Sequence, residues 1–198
     1  MKRLALGMSL SLLFLCGTAQ AGIINYAANL SGPNEATPNS SPGVGRATVV
    51  IDDVAGMMTV NASFSGLTGT TTASHIHCCT ASPFTGAAGV ATSLPTFPDF
   101  PLGVTSGSYT ETFDLLNLAT YNTAFVTNNG GTVAGAQAAF LAGLASGRSY
   151  LNIHTLAFPG GEIRGFLAEV PEPGSLALFG LGAAGLAGLR RRAGVAAG

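Results

Sequence analysis

Residues 149–168 read SYLNIHTLAFPGGEIRGFLA, and the fold class follows from them. The arm Ser149 to Thr155 is rich in β-branched, aromatic and aliphatic residues, and so is the arm Glu162 to Ala168. Between them Phe158-Pro159-Gly160-Gly161 interrupts any ladder, because Pro has no N–H to give and Gly tolerates turn geometry. Two short apolar runs around such a breaker predict a closing pair of antiparallel strands.

The pattern recurs upstream. Ile24, Tyr26, Ala28 and Leu30 alternate with small or polar residues, as a half-buried strand requires. Gly45 to Ile51 and Met57 to Phe64 predict a hairpin, joined by Asp52-Asp53-Val54-Ala55-Gly56 with the Asp and Gly that turns favour. Ser74 to Cys78 predicts a short strand, and Ser108 to Asp114 alternates as Tyr109, Glu111, Phe113. Thr132 to Ala145, with Val133, Ala136, Phe140, Leu141 and Leu144, predicts one helix closed by Gly147. The Pro/Gly/Ser-rich stretch Thr80 to Leu102 is too long for a hairpin turn and predicts an ordered surface loop with a contact role. About seven short strands with Gly/Pro turns define an all-β class, an antiparallel β-sandwich or barrel-like module with one short helix. No solenoid period is present, so residues 22–169 form one domain.

Only 9% of the 198 residues are charged, against a usual value of about 25%. That excludes a nucleic-acid binder with a basic stripe. The hydrophobic share of 47% excludes charge-driven disorder. Within residues 22–169, Arg46, Arg148 and Arg164 face eight carboxylates, a net of −5 with no Lys. Such a body has no electrostatic reason to seek phosphate backbones or anionic lipid.

The two ends are processing segments. Lys2 and Arg3 precede the apolar run Leu4 to Cys16 and then Ala19-Gln20-Ala21, a small-x-small cleavage site, so residues 1–21 read as a secretory signal peptide. Leu15 before Cys16 argues against a lipoprotein signal, which wants a small residue there. At the other end, Val170-Pro171-Glu172-Pro173-Gly174-Ser175 leads into the uncharged stretch Leu176 to Leu189 and then Arg190-Arg191-Arg192. A helix over Ser175 to Leu189 would reach roughly 22 Å, short of the roughly 30 Å hydrocarbon core. It crosses only with local thinning, and the Arg cluster keeps its end in the cytoplasm.

That order and spacing resemble the PEP-CTERM sorting domain over residues 170–192, with a short tail at 193–198. The resemblance implies an exported protein of a Gram-negative bacterium, held transiently in the inner membrane. An exosortase then processes it near Pro171-Glu172-Pro173 and delivers it to the cell surface or extracellular matrix.

Three islands carry a second resemblance: Ser74-His75-Ile76-His77, Gly107 to Asp114, and Ala145 to Leu167. Together they resemble the CHRD domain, an all-β extracellular module, across roughly residues 24–169. That family usually has Gly-Pro after the His-x-His, where this chain has Cys78-Cys79.

All three His fall on these closing motifs. His75 and His77, at i and i+2 of a strand, share a face with Cβ atoms roughly 6.5–7 Å apart. Two imidazoles so placed can hold one copper or zinc ion, with His154 a third ligand if its strand pairs across the same face. A His-x-His on a β-sandwich also resembles the copper site of Cu/Zn superoxide dismutase, but the further His and Asp ligands of that enzyme are missing. The same residues also suit a structural network, with Glu162 and Arg164 at i and i+2 pairing near the His. After export Cys78 and Cys79 can form a vicinal disulfide, bridge to another chain, ligate metal or serve a redox role. No Gly-x-Ser-x-Gly, no Walker loop and no evident carboxylate pair is present. Two functions stand: a non-catalytic binding or structural module for a matrix or surface ligand, and a metal-binding or redox domain.

Overall fold

The computed structural model describes residues 22–171. The expected signal peptide at 1–21, the Glu172-Pro173 part of the sorting motif, the apolar stretch, Arg190 to Arg192 and the tail at 193–198 lie outside the described residues. Among those described, no helix is long and apolar enough to cross a membrane.

The described residues form eight strands: β1 Ile23–Ser31, β2 Val44–Asp52, β3 Met57–Ser65, β4 Thr71–His77, β5 Gly107–Asp114, β6 Tyr150–Thr155, β7 Ile163–Phe166 and β8 Ala168–Val170. Two α-helices, α1 Thr123–Asn128 and α2 Val133–Ala145, lie between β5 and β6. All strands join one antiparallel sheet in the order β4-β6-β7-β1-β2-β3-β5, with β8 also on β1, and the sheet curls into a half-barrel. Of the two architectures the sequence left open, the barrel-like one is therefore formed.

The hairpin of β2 and β3 is in full register from Val44↔Ser65 to Asp52↔Met57. Asp52 holds its turn by accepting from the Val54 and Ala55 N–H groups. Alternation then sorts the faces, with Val49, Ile51, Met58 and Val60 fully buried and their neighbours partly exposed. Helix α2 matches its expected span, with Thr132 capping the Gly135 N–H. The six-residue α1, capped by Asn122, is an element the sequence pattern did not suggest.

The stretch Thr80 to Leu102 is only in part the surface loop expected. Phe97 and Phe100 are buried, and Phe97 packs on Tyr109 and Phe113 at 5.7 and 5.5 Å between centroids. A curled single sheet has no second sheet to fill its core, so the loop supplies apolar side chains in its place. The loop also bonds along the outer edge of β4: Ala91 and Thr92 donate to the Ile76 carbonyl, Phe97 to Ser74, and Cys78 to Gly89.

Candidate metal centre

The β4–β6–β7 pairing builds the site. His75 is opposite Asn152, which is opposite Arg164, and His77 is opposite Tyr150, which is opposite Phe166. His154 faces Ala73 across a register shift between Thr71 and Ala73. Directly paired residues share a face, so these side chains line one side of the sheet. Ile76, Leu151, Ile153 and Ile163 fill the core on the other.

The three imidazoles meet there, with centroids 5.3 to 5.9 Å apart. One nitrogen of each ring faces a backbone carbonyl: His75 Nε2 to Pro95 at 2.7 Å, His77 Nδ1 to Ala88 at 2.9 Å, and His154 Nδ1 to Pro159 at 3.0 Å. A carbonyl oxygen only accepts, so each of these nitrogens carries the proton. The remaining atoms, His75 Nδ1, His77 Nε2 and His154 Nε2, are buried lone pairs without a partner. One ring nitrogen from each His lies within 4.8 Å of the others. Burial lowers all three pKa values, that of His77 to about 4. The rings are therefore neutral at neutral pH, which is the form that ligates metal.

Around them stands a second polar group. Tyr150 stacks on His77 at 4.8 Å, and the Arg164 guanidinium lies 4.6 Å over the Tyr150 ring. Arg164 donates to the carbonyls of Asn34 and Gly86 and lies 3.8 Å from Glu35 Oε2. Asn152 Nδ2 reaches the same Glu35 oxygen at 3.5 Å. Two more buried atoms here, Asn152 Oδ1 and Glu35 Oε1, have no partner.

Burial pushes the Glu35 carboxyl up to about 7, against the opposing pull of Arg164. The folded state therefore holds this proton between pH 4.5 and 7, where the unfolded chain has released it, so stability falls as pH rises through that window. In buffer containing a chelator, the stability of wild type relative to Glu35→Gln should drop by about 2.5 kcal/mol between pH 5 and pH 8. Urea melts of both proteins at the two pH values measure this. A constant difference would place the Glu35 pKa near its ordinary value.

Glu162 and Arg164 do not form the ion pair their spacing suggested. β7 begins only at Ile163, and Glu162 lies in the preceding turn. Its carboxylate turns to Ser41, Thr155 and the Thr68 and Gly69 N–H groups. Among the described residues, Arg164 pairs with Glu35.

The sulfurs of Cys78 and Cys79 are bonded to one another, with Cys78 in the core and Gly143 of α2 packed directly on both. Any Cβ at Gly143 would fall on the sulfurs. The pair lines a cavity of about 450 Å³ with Asn122, Phe125 and Arg148, and it contributes no thiolate to the His. Glu35, the carboxylate nearest in role to this face, escaped the sequence reading. It sits in Ser31-Gly32-Pro33-Asn34-Glu35, a turn stretch whose composition signals a bend and nothing more.

A curled antiparallel half-barrel with three neutral imidazoles gathered on one face defines a small all-β module. Residues 26–167 match the CHRD domain, and the chain belongs to that family. Residues 169–192 match the PEP-CTERM protein-sorting motif, which implies recognition by an exosortase and marks an exported, membrane-processed protein. The chain matches no curated protein and no solved structure.

Proposed function

We propose that this exosortase-sorted protein carries its CHRD domain to the surface or matrix of a Gram-negative bacterium as a module that binds one copper or zinc ion. His75, His77 and His154 are the ligands. The observation that carries the reading is the set of three partnerless lone pairs on adjoining rings. A purely structural network would satisfy both nitrogens of each ring, since a buried unpaired polar atom costs about 1–3 kcal/mol. The carbonyl bonds to the opposite nitrogens fit the metal reading equally, because ligating His are commonly oriented by such bonds. Three imidazoles without thiolate suit both zinc and copper.

Tetrahedral bonds of 2.0–2.1 Å bring ligand nitrogens to roughly 3.3 Å of one another, so metal would draw the rings inward from their present spacing. Full-length protein purified without a polyhistidine tag should hold about one copper or zinc ion per chain by mass spectrometry. The ion should be lost in His75→Ala/His154→Ala. Removing it by chelation should lower the melting temperature, because a ligand at a thousand times its Kd contributes about 4 kcal/mol. Protein that stays folded, empty and unable to take up added metal would return the His to a structural role.

A further inference from the structure

The metal reading leaves a question of coordination that the same face answers. Three His supply three bonds, and among the described residues no other His, Cys, Asp or Glu joins the cluster. Both thiols that could have closed the sphere are consumed in the disulfide. A three-ligand zinc or copper site of this kind retains at least one position for a ligand from solution.

The surroundings say what that ligand carries. Asn152 Oδ1 and Glu35 Oε1 are buried and partnerless, like the three nitrogens. Asn152 is the cross-strand partner of His75 and lies two residues from His154 on β6, and its amide reaches Glu35. Above pH 7, where Glu35 is ionised, these two atoms are acceptors, and among the described residues no donor reaches either. A water on the metal brings two O–H donors, made stronger by coordination, and so supplies what the fold withholds. A fourth side-chain ligand would leave both oxygens unpaired. Glu35 also lines a cleft of about 460 Å³ together with Arg164, Asn29, Asn34, Phe84 and Phe166. The face that holds the metal thus adjoins a solvent cleft with a buried guanidinium in its wall.

Building on the proposed metal site, we infer that the ion keeps one exchangeable position, occupied by water that donates to Asn152 and Glu35 and open to replacement by small anions. The centre is then a reactive or ligand-sensing one, in contrast to a closed structural site. Glu35 is a positioning residue for the water, and once ionised above pH 7 its negative charge weakens competing anions.

Cobalt(II) loaded into the full-length protein tests this, because its visible bands report coordination. Azide is the probe. In wild type at pH 8.5, where Glu35 is ionised, millimolar azide should shift the bands, and Glu35→Gln should tighten azide on the order of tenfold by removing a facing charge. Asn152→Asp should weaken it by a similar factor. Cobalt stoichiometry and melting temperature establish that each variant is folded and loaded. Cobalt bound through the His but blind to azide would overturn the exchangeable position while leaving the metal site standing. Azide binding unchanged in both variants would remove Glu35 and Asn152 from the position. Failure to bind cobalt at all would overturn the metal site itself, and this inference with it.

Discussion

Glu162→Ala should cost the domain about 4 kcal/mol and lower its melting temperature by roughly 10–15 °C. The Glu162 carboxylate is fully buried, and it accepts from the Ser41 and Thr155 hydroxyls and from the Thr68 and Gly69 N–H groups. Hydrogen bonds to a charged group each contribute about 1.5–3 kcal/mol, and alanine would strand their donors. These bonds hold the segment after β3 against the end of β6, so the loss is spread over two distant parts of the chain. Burial by itself would raise this pKa, but the four donors outweigh it and hold the carboxyl below its ordinary value. Its contribution is therefore complete above the unfolded value of about 4.5 and disappears as pH falls through the lower folded value. Thermal melts at pH 7 and pH 3 check both points. The gap between wild type and the variant should narrow at the lower pH, and a gap independent of pH would mean that packing, not charge, carries the effect.

Gly165→Ala should be the most damaging exchange of a single hydrogen for a methyl group in the closing motif, at about 3 kcal/mol. A Cβ at this position would press on the Asn29 carbonyl and lie 3.1 Å from Ala28 Cβ. The obstacle is backbone of β1, which cannot swing aside as a flexible side chain can. β7 would have to move off β1, with which it pairs at Ser31↔Arg164, and Arg164 would move with it. Gly160→Ala is the control, since no atom lies within 4 Å of its added Cβ. Denaturant melts of both variants should show a wide separation, and equal midpoints would mean that β1 and β7 are not held at this spacing.

The strands were legible because each buries one face, which imposes alternation on Ile24 to Leu30, Gly45 to Ile51 and Met57 to Phe64. The helix was legible from its apolar positions, its Thr132 start and its Gly147 stop. Phe97 and Phe100 were misplaced because their Pro-rich neighbours carry every local mark of a surface loop. Only the curl of the sheet makes them core. At the site, His75 and His77 announced a shared face through their spacing alone. His154 joins them only through the β4–β6 register and its shift near Ala73, which no local pattern encodes. Glu35 is harder still, since it meets Asn152 across 117 positions of chain. Long-range pairing of that kind leaves no mark in a single sequence beyond a carboxylate in an unremarkable turn.

The backbone bonds that the loop makes to β4 also bear on how copies of this protein meet one another. An open sheet has two rims, and a bare rim recruits further strands until a fibre grows. Here one rim is occupied by the chain's own Gly89–Phe97 segment, and the other, β5, presents Thr110, Glu111, Thr112 and Asp114 outward or half-outward. A neighbour trying to add a strand would meet a filled ladder on one side and carboxylates on the other. Molecules crowded side by side can therefore remain separate, each keeping its own sheet to itself.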